Sequence, residues 1–364
     1  ERNDVRAIAM GDEAGTADVW VVGDKPVERT TLLASKSDVQ VRRILGHLPS
    51  RAADNLFWLG RYIERAEATL RLARSLCTSL MDSESAIHSS GETLASLQRL
   101  LIDWGALDEA ALGKGALDAA RDTLRDVKAY GSVIYLVRAA RRTAASMRER
   151  LSADFWALLL DLETELAETV HAPLSEAEAL QQVERALQIL AALAGLAQEN
   201  MNRVAGWRFL DMGRRIERGI NICRLARTFA HDAATTDDLD LLLDLADSQI
   251  TYRARYLVGL ALVPVRDMVM LDAFNTRSLA FQTDTLKTHL AALPSLLDDG
   301  MLEEPSRLLL PLCTDVITAD AASLTVARMR TFEKTLLRLS GAVADRYFLQ
   351  GANAVPTIKL AGMG

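Results

Sequence analysis

The chain of 364 residues contains few of the residues that mark special structural classes. Its three cysteines, Cys77, Cys223 and Cys313, lie far apart and without Cys-x-x-Cys spacing, so the sequence indicates neither a disulfide framework nor a zinc site. Buried thiols in a reducing cytoplasm are the expectation. Aromatic residues make up 5% of the chain, and glycine (20) and proline (8) are sparse. This composition disfavours many short strands joined by tight turns.

Charge and hydropathy exclude two further classes of partner. The formal net charge is −7, so a basic surface of the kind that neutralises phosphates is absent, and nucleic acid is not expected. The longest nearly uncharged stretches are 187–197 and 257–265. Both are shorter than the roughly 20 residues that a membrane helix needs. We therefore expect neither nucleic acid nor a membrane as a partner, and a cytoplasmic location.

The residues that are abundant predict helices. Hydrophobic residues make up 49% of the chain and charged residues 25%, and leucine occupies 59 positions. From residue 49 onwards apolar residues recur with the helical period. The predicted helical segments fall approximately at 50–80, 89–104, 115–128, 131–150, 152–170, 175–203, 206–231, 237–261, 263–272, 276–298 and 313–349. We expect an all-α fold, a bundle or array of long helices.

The first 36 residues differ from the rest. Residues 5–10 and 17–22 are typical of short strands, and two strands are too few to fold alone. The chain opens at Glu1 without a signal-peptide pattern, so it is expected to be a piece of a longer protein. The predicted organisation is a remnant of an upstream domain at 1–36, a linker at 37–48, a helical domain at 49–350 and a flexible tail at 351–364.

An internal repeat is the most informative pattern in the sequence. Residues 55–76 align without gaps with residues 208–229, at an offset of 153. Nine of the 22 aligned positions are identical: Gly60/Gly213, Arg61/Arg214, Ile63/Ile216, Glu64/Glu217, Arg65/Arg218, Arg71/Arg224, Leu72/Leu225, Ala73/Ala226 and Arg74/Arg227. This similarity indicates an internal duplication of a helical unit.

The repeat carries a polar stripe, because positions three, four and seven apart share one face of a helix. The two copies of the stripe are Phe57, Arg61, Glu64, Ala68 and Arg71, and Leu210, Arg214, Glu217, Asn221 and Arg224, so that each copy places one glutamate between two arginines. In one interpretation the stripes meet across a pseudo-twofold axis and, with Arg65 and Arg218, present guanidiniums to an anionic ligand. In the other they form a structural Arg–Glu network that locks two helices in register, or solvent-exposed ion pairs.

A second polar cluster surrounds a predicted loop. It contains the substrate-binding candidates Tyr252, Arg253, Arg255, Asn275 and Arg277. Together with neighbouring hydroxyl groups, Asn275 can cap the helix that starts there and leave its first amides facing a bound anion. Capping alone explains these residues nearly as well.

Motifs for most enzyme classes are absent from the sequence. It contains no GxGxxG, Walker A, HExxH or GxSxG pattern. Glu168 and His171 have the spacing of a carboxylate-bridged metal site, but no second copy exists, so a helix-end histidine and no metal are expected. The remaining catalytic candidates are Glu64 and Glu217, as a general base or acyl-handling pair beside arginines that stabilise an oxyanion. That hypothesis requires both glutamates to converge in one pocket.

The sequence resembles the alpha-E family, all-helical bacterial proteins named for a helix that carries a Glu-Arg pair. The resemblance covers about residues 47–350. It depends on residues 50–67 (SRAADNLFWLGRYIERAE), the second pair Glu217-Arg218, residues 252–256 (YRARY) and residues 274–279 (FNTRSL). Thr276 departs from the proline expected at that position.

Residues 1–30 resemble part of a second family, namely the C-terminal end of circularly permuted ATP-grasp proteins. In some bacteria such proteins are fused directly ahead of an alpha-E domain. The resemblance implies a partner ligase, fused or in trans, that uses Mg-ATP to activate a carboxylate as an acyl phosphate and couples it to an amine. It implies no cofactor in this chain itself.

The function expected from these patterns is that of a helical accessory module. It would hold an acidic amino-acid or peptide substrate for the amide ligase. The alternatives are an independent enzyme that uses Glu64 and Glu217, and a purely structural scaffold.

Overall fold

The computed structural model describes residues 22, 24, 48–81, 91–168, 175–257, 259–295 and 300–348. The chain divides into two compact units, residues 1–43 and 44–364. The predicted strands at 5–10 and 17–22, the linker and the tail lie outside the described residues, apart from Val22 and Leu48. The fold below is that of the second unit.

The described residues form thirteen α-helices, and the prediction of an all-α fold is confirmed. The helices are α1 Ser50–Met81, α2 Gly91–Asp103, α3 Ala116–Arg125, α4 Val133–Ala145, α5 Ala153–Glu168, α6 Glu176–Asn200, α7 Ala205–Phe229, α8 Thr236–Leu245, α9 Gln249–Arg255, α10 Leu262–Arg266, α11 Leu279–Ala291, α12 Glu304–Ile317 and α13 Val326–Tyr347. None of the helices in the described ranges is both long and apolar enough to cross a membrane.

Hydroxyl side chains fix where several helices begin. Ser175 precedes α6 and forms a capping box with Glu178, and Thr235 forms the same box ahead of α8. Ser278 precedes α11 and accepts a hydrogen bond from the Phe281 amide. Such a cap stabilises a helix by about 1 kcal/mol, because it satisfies an amide that has no partner within the helix.

Two of the predicted helices are wrong in extent. The segment 237–261 contains α8 and α9, separated at Asp247, whose φ of 51° lies in the left-handed region that no continuous helix uses. The segment 313–349 contains the end of α12, a 3₁₀ turn at Ala321–Ser323 and α13. The start of α12 lies outside the predicted segments, although Pro305 is compatible with it: this proline lies in the first turn, where its missing N–H costs nothing.

The two copies of the repeat, α1 and α7, cross at the centre of the unit. A Cβ atom on Gly60 would lie 2.1 Å from the Leu210 carbonyl oxygen, and one on Gly213 would lie 2.0 Å from that of Phe57. Leu210 is the repeat equivalent of Phe57, so exchanging the two copies exchanges the two contacts. The crossing therefore follows the pseudo-twofold symmetry of the duplication, with the backbones in direct contact.

The remaining helices surround this crossing. α3, α4 and α6 pack on α1, while α11 and α13 pack on α7. The three cysteines are buried in the core as free thiols, as predicted. Burial, together with the nearby charge of Glu176, raises the pKa of Cys77 to about 11, so this thiol is unreactive at neutral pH.

Candidate functional site

Glu64 and Glu217 lie at the α1–α7 crossing, each held by arginines from the other repeat. Arg61 and Arg65 each donate from Nε to Glu217, both at 2.7 Å. The equivalent residue of Arg65, Arg218, donates to Glu64 from Nε at 2.5 Å and from Nη2 at 2.8 Å. The fourth arginine, Arg214, has its Nε 3.6 Å from a Glu64 oxygen. Each glutamate is thus bound by arginines of the other repeat copy, and the pseudo-twofold axis relates the two sets of pairs.

The last arginine of each stripe pairs with a carboxylate other than the motif glutamates. Arg71 contacts Glu67 and Asp247, and Arg224 donates to Glu333 at 2.7 Å. Two residues seven apart are separated by about 10 Å along a helix axis. The guanidiniums of the facing helix are therefore nearer to Glu64 than Arg71 is.

Both motif glutamates are buried, with 3% of Glu64 and 2% of Glu217 exposed. Burial by itself raises the pKa of Glu217, but the charges and hydrogen bonds of Arg61 and Arg65 outweigh it and lower the pKa to about 2. A carboxylate with so low a pKa is a weak base at neutral pH. This environment suits a structural counter-ion better than a proton acceptor.

A cavity of about 40 Å³ opens beside Glu64 between α1 and α7. This volume accommodates a few water molecules or a small chemical group. Its polar lining residues are Glu64, Glu67, Arg71, Arg218, Asn221 and Arg277, and its apolar ones are Ala68, Leu72, Ile222, Leu225, Leu245 and Ala246. Glu217 does not line this cavity, so the two catalytic candidates do not converge in it.

Glu67 is a site residue that the sequence reasoning missed. Its carboxylate accepts from Arg277 Nη1 at 2.7 Å and from Arg71 at 3.1 Å, and Arg218 lies 3.6 Å away. Burial raises the pKa of Glu67, but these three guanidiniums outweigh it and hold the pKa well below its usual range. The repeat gave no signal for Glu67, because its equivalent position is Ile220.

Asp247, an exposed residue in the turn between α8 and α9, contacts two arginines that line the cavity, Arg71 and Arg277, and these three residues define the mouth of the cavity. Its Oδ2 is 3.1 Å from Arg71 Nη2 and 3.2 Å from Arg277 Nη2. The side chain is 57% exposed, in contrast to Glu67 beneath it, which is 10% exposed. Asp247 was missed because the sequence predicted a continuous helix there.

Asn221 lines the same cavity, at the repeat equivalent of Ala68. The residue is 4% exposed. Its Nδ2 has no hydrogen-bond acceptor among the residues that the structure describes. A buried donor without a partner is costly, and such groups call for an explanation.

Most of the second predicted cluster does not reach the cavity. Tyr252 is buried and donates to the Gly259 carbonyl, and Arg255 donates to Asp272 at 2.6 Å. Asn275 is buried and donates to the Ser248 hydroxyl and to the Met268 carbonyl. Arg253 is exposed. Of the five candidates, Arg277 is the one that lines the cavity.

Among the described residues, no group of three or more histidines, cysteines, aspartates and glutamates is placed to hold an ion. His171, the histidine of the Glu-x-x-His pattern, lies outside the described residues, and Glu168 is the last residue of α5.

Comparison with known proteins identifies the family. Residues 48–348 match the model of the Alpha-E family, described as a predicted alpha-helical domain with a conserved ER motif. The Glu-Arg pairs of this chain are Glu64-Arg65 and Glu217-Arg218, at the centre of the crossing. No solved structure matches the chain.

Similar proteins occur in mycobacteria. Uncharacterized proteins of Mycobacterium bovis and of two strains of Mycobacterium tuberculosis are each 30% identical over 270 residues. The match covers 67% of this chain and 30% of each relative. The matched region is thus less than a third of the length of these relatives.

Proposed function

The chain belongs to the Alpha-E family, and on that premise we propose that it is a helical accessory module that holds a carboxylate-bearing substrate for an ATP-grasp-type amide ligase. The observation that carries the proposal is the cavity at the α1–α7 crossing, which three arginines line. An acidic amino acid or a short acidic peptide is the substrate class proposed.

Two of the lining arginines are suited to bind a carboxylate. Arg71 and Arg277 both extend to the mouth of the cavity, and their side chains are 13% and 24% exposed. A planar guanidinium matches the two oxygens of a carboxylate, and its hydrogen bonds to a charged acceptor are stronger than those between neutral groups. Partial burial limits screening by salt, which favours binding of an anion at this place.

The ligase part of the proposal is supported by resemblance. Residues 1–30 are similar to the end of circularly permuted ATP-grasp proteins, which activate a carboxylate with Mg-ATP. A ligase of this kind consumes a carboxylate substrate, so a carboxylate-holding module suits it chemically. The mycobacterial relatives extend well beyond the matched region, which leaves room for further domains in those proteins. The ligase partner is thus inferred from family association and not from the chemistry of the cavity.

The test measures ADP release by a purified ATP-grasp partner supplied with amino acids and short acidic peptides. The reaction is run alone, with this chain, and with its Arg277→Gln variant. We expect the chain to raise the rate and Arg277→Gln to remove most of the increase. Arg255→Gln is the matched control, because Arg255 pairs with Asp272 and does not line the cavity.

A structural scaffold is the second candidate. The reciprocal pairs at the crossing favour it, because they give the motif arginines carboxylate partners without any ligand. The scaffold predicts an unchanged ligase rate with Arg277→Gln, provided that circular dichroism shows the variant to be folded. That result would refute the substrate-holding role.

A further inference from the structure

We propose that the cavity binds the carboxylate of a short aliphatic acid, and that Asp247 occupies the place of that carboxylate when no ligand is bound. The inference names the ligand class for the site of the proposed function and rests on that function for its biological meaning.

Arg71 and Arg277 share one acceptor at the mouth of the cavity. A single oxygen of Asp247 lies between Arg71 and Arg277, at 3.1 and 3.2 Å from their Nη2 atoms. This arrangement marks a position where a carboxylate oxygen receives two charge-assisted hydrogen bonds. Because the Asp247 side chain is 57% exposed, solvent weakens both contacts and an external carboxylate can compete for the same place.

Asp247 has an uncommon backbone conformation. Its φ of 51° places it in the left-handed region, which is uncommon for residues other than glycine, although aspartate and asparagine tolerate it best. The residue lies in the turn between α8 and α9 rather than within a helix. Its side chain is therefore not held by a rigid element in the way that Glu67 is held by α1.

Glu67, unlike Asp247, belongs to the wall of the cavity. The Glu67 side chain is 10% exposed and also faces Arg218, so it stays in place as part of the wall. The lining then contains three guanidiniums and two carboxylates, Glu64 and Glu67. One further carboxylate, from Asp247 or from a ligand, completes the pairing of the arginines at the mouth.

The interior of the cavity combines an amide donor with apolar walls. The unpartnered Nδ2 of the buried Asn221 calls for an acceptor, such as the second oxygen of a carboxylate. Apolar walls formed by Leu72, Ile222, Leu225 and Leu245 complement a methylene chain. The volume of about 40 Å³ limits the chain to a few carbon atoms. Inorganic phosphate would match the arginines but not these walls.

A carboxylate on a short aliphatic chain is present both in a free acid and in a glutamyl side chain of a peptide. The test therefore uses one probe of each kind. Binding of butyrate and of N-acetyl-glutamic acid α-amide to the full 364-residue chain is followed by ligand-observed NMR and calorimetry. Butyramide, which lacks the charge, and inorganic phosphate are run beside them. We expect the acids to bind, and both neutral amide and phosphate to bind at least several-fold more weakly.

Two variants test the roles of individual residues. Asp247→Asn removes the competing charge at a position where asparagine keeps the backbone, and we expect the acids to bind several-fold more tightly. Asn221→Ala installs the residue of the first repeat, and we expect several-fold weaker binding. Asp244→Asn is the matched control, because Asp244 pairs with Arg74 of α1 outside the cavity, and it is expected to leave affinity unchanged.

Each outcome bears on a different part of the inference. Equal or weaker binding by Asp247→Asn overturns the role of Asp247, and absence of acid binding to both wild type and Asp247→Asn overturns the site. Tighter binding of phosphate than of butyrate overturns the aliphatic class. Since no ligase is present, acid binding without any effect on ADP release refutes the proposed function alone. Ligase stimulation without acid binding refutes this inference alone.

Discussion

Each motif glutamate is buried with two arginines that the other copy of the repeat contributes. Removing a carboxylate from water is costly, and good hydrogen-bond geometry with counter-ions is needed to offset that cost. Two of these arginines have a second partner, since Arg61 also donates to the Ser340 hydroxyl and Arg218 also lies 3.6 Å from Glu67. The network therefore specifies how α1 meets α7, and breaking it at one residue leaves the others without partners.

Loss of Glu64 tests this dependence. Glu64→Ala leaves Arg214 and Arg218 buried without their shared carboxylate, and we expect the free energy of unfolding to fall by about 3–5 kcal/mol. Glu304→Ala is the control, because Glu304 forms an exposed pair with Arg307 and should change stability by less than about 1 kcal/mol. Urea denaturation at pH 7 measures both. Equal effects would contradict a buried network.

Lowering the pH should weaken the same network by protonating Glu217. Its pKa falls from an ordinary 4.5 to about 2 in the folded protein, so its ionised form stabilises the fold fully above pH 4.5 and progressively less as the pH falls through about 2. The Glu217→Gln variant lacks this contribution. We expect the difference in unfolding free energy between wild type and variant to narrow from pH 5 towards pH 2, measured by urea titration. A constant difference would disprove the assignment.

The sequence predicted the motif but not the partners. Identity between the copies located Glu64 and Glu217, and the helical period put them on one face with arginines. Which arginine contacts which glutamate depends on the crossing of two helices that are 153 residues apart in the repeat alignment. Glu67 and Asp247 gave no repeat signal, since the first aligns with Ile220 and the second lies outside the repeat. Asn221 was placed on the stripe of the second copy, but its equivalent, Ala68, is apolar.

At the scale of single helices, the crossing of α1 and α7 depends on glycine. Gly60→Ala puts a Cβ 2.1 Å from the Leu210 carbonyl oxygen, so the helices must separate. We expect stability to fall by about 1–3 kcal/mol in thermal or urea unfolding, although alanine is the better helix former. Gly195→Ala in α6 is the control, since nothing lies within 4 Å of its added Cβ, and it should stabilise by up to about 1 kcal/mol. Similar effects at both sites would contradict the close contact.

Helix content was predictable from the sequence, whereas some helix ends were not. The periodicity of apolar residues located α1, α6 and α7 within a few residues of their observed bounds. No glycine or proline marks the break at Asp247 in the sequence, because an aspartate adopts the left-handed conformation there. This turn, which the sequence did not predict, also brings the Asp247 carboxylate to the mouth of the cavity.

In the second unit as a whole, α1 and α7 occupy the centre and the candidate site lies between them. α1 contacts α3, α4 and α6 on one side, and α7 contacts α11 and α13 on the other. By contrast, α9 has seven residues, of which Tyr252 alone is buried. The cavity thus has walls from the two core helices, and Asp247 at its mouth lies two residues before the less firmly packed α9.

Native-state hydrogen exchange tests this difference across the molecule. Amides of α1 and α7 should exchange most slowly, because exposing them requires the surrounding helices to separate, which amounts to global unfolding. Amides of α9 should exchange orders of magnitude faster through local opening. Mass spectrometry of peptides covering Ser50–Met81, Ala205–Phe229 and Gln249–Arg255 measures all three in one experiment. Equal protection of α9 and α7 would mean that the mouth is as rigid as the core, and displacement of Asp247 by a ligand would then require opening of the core itself.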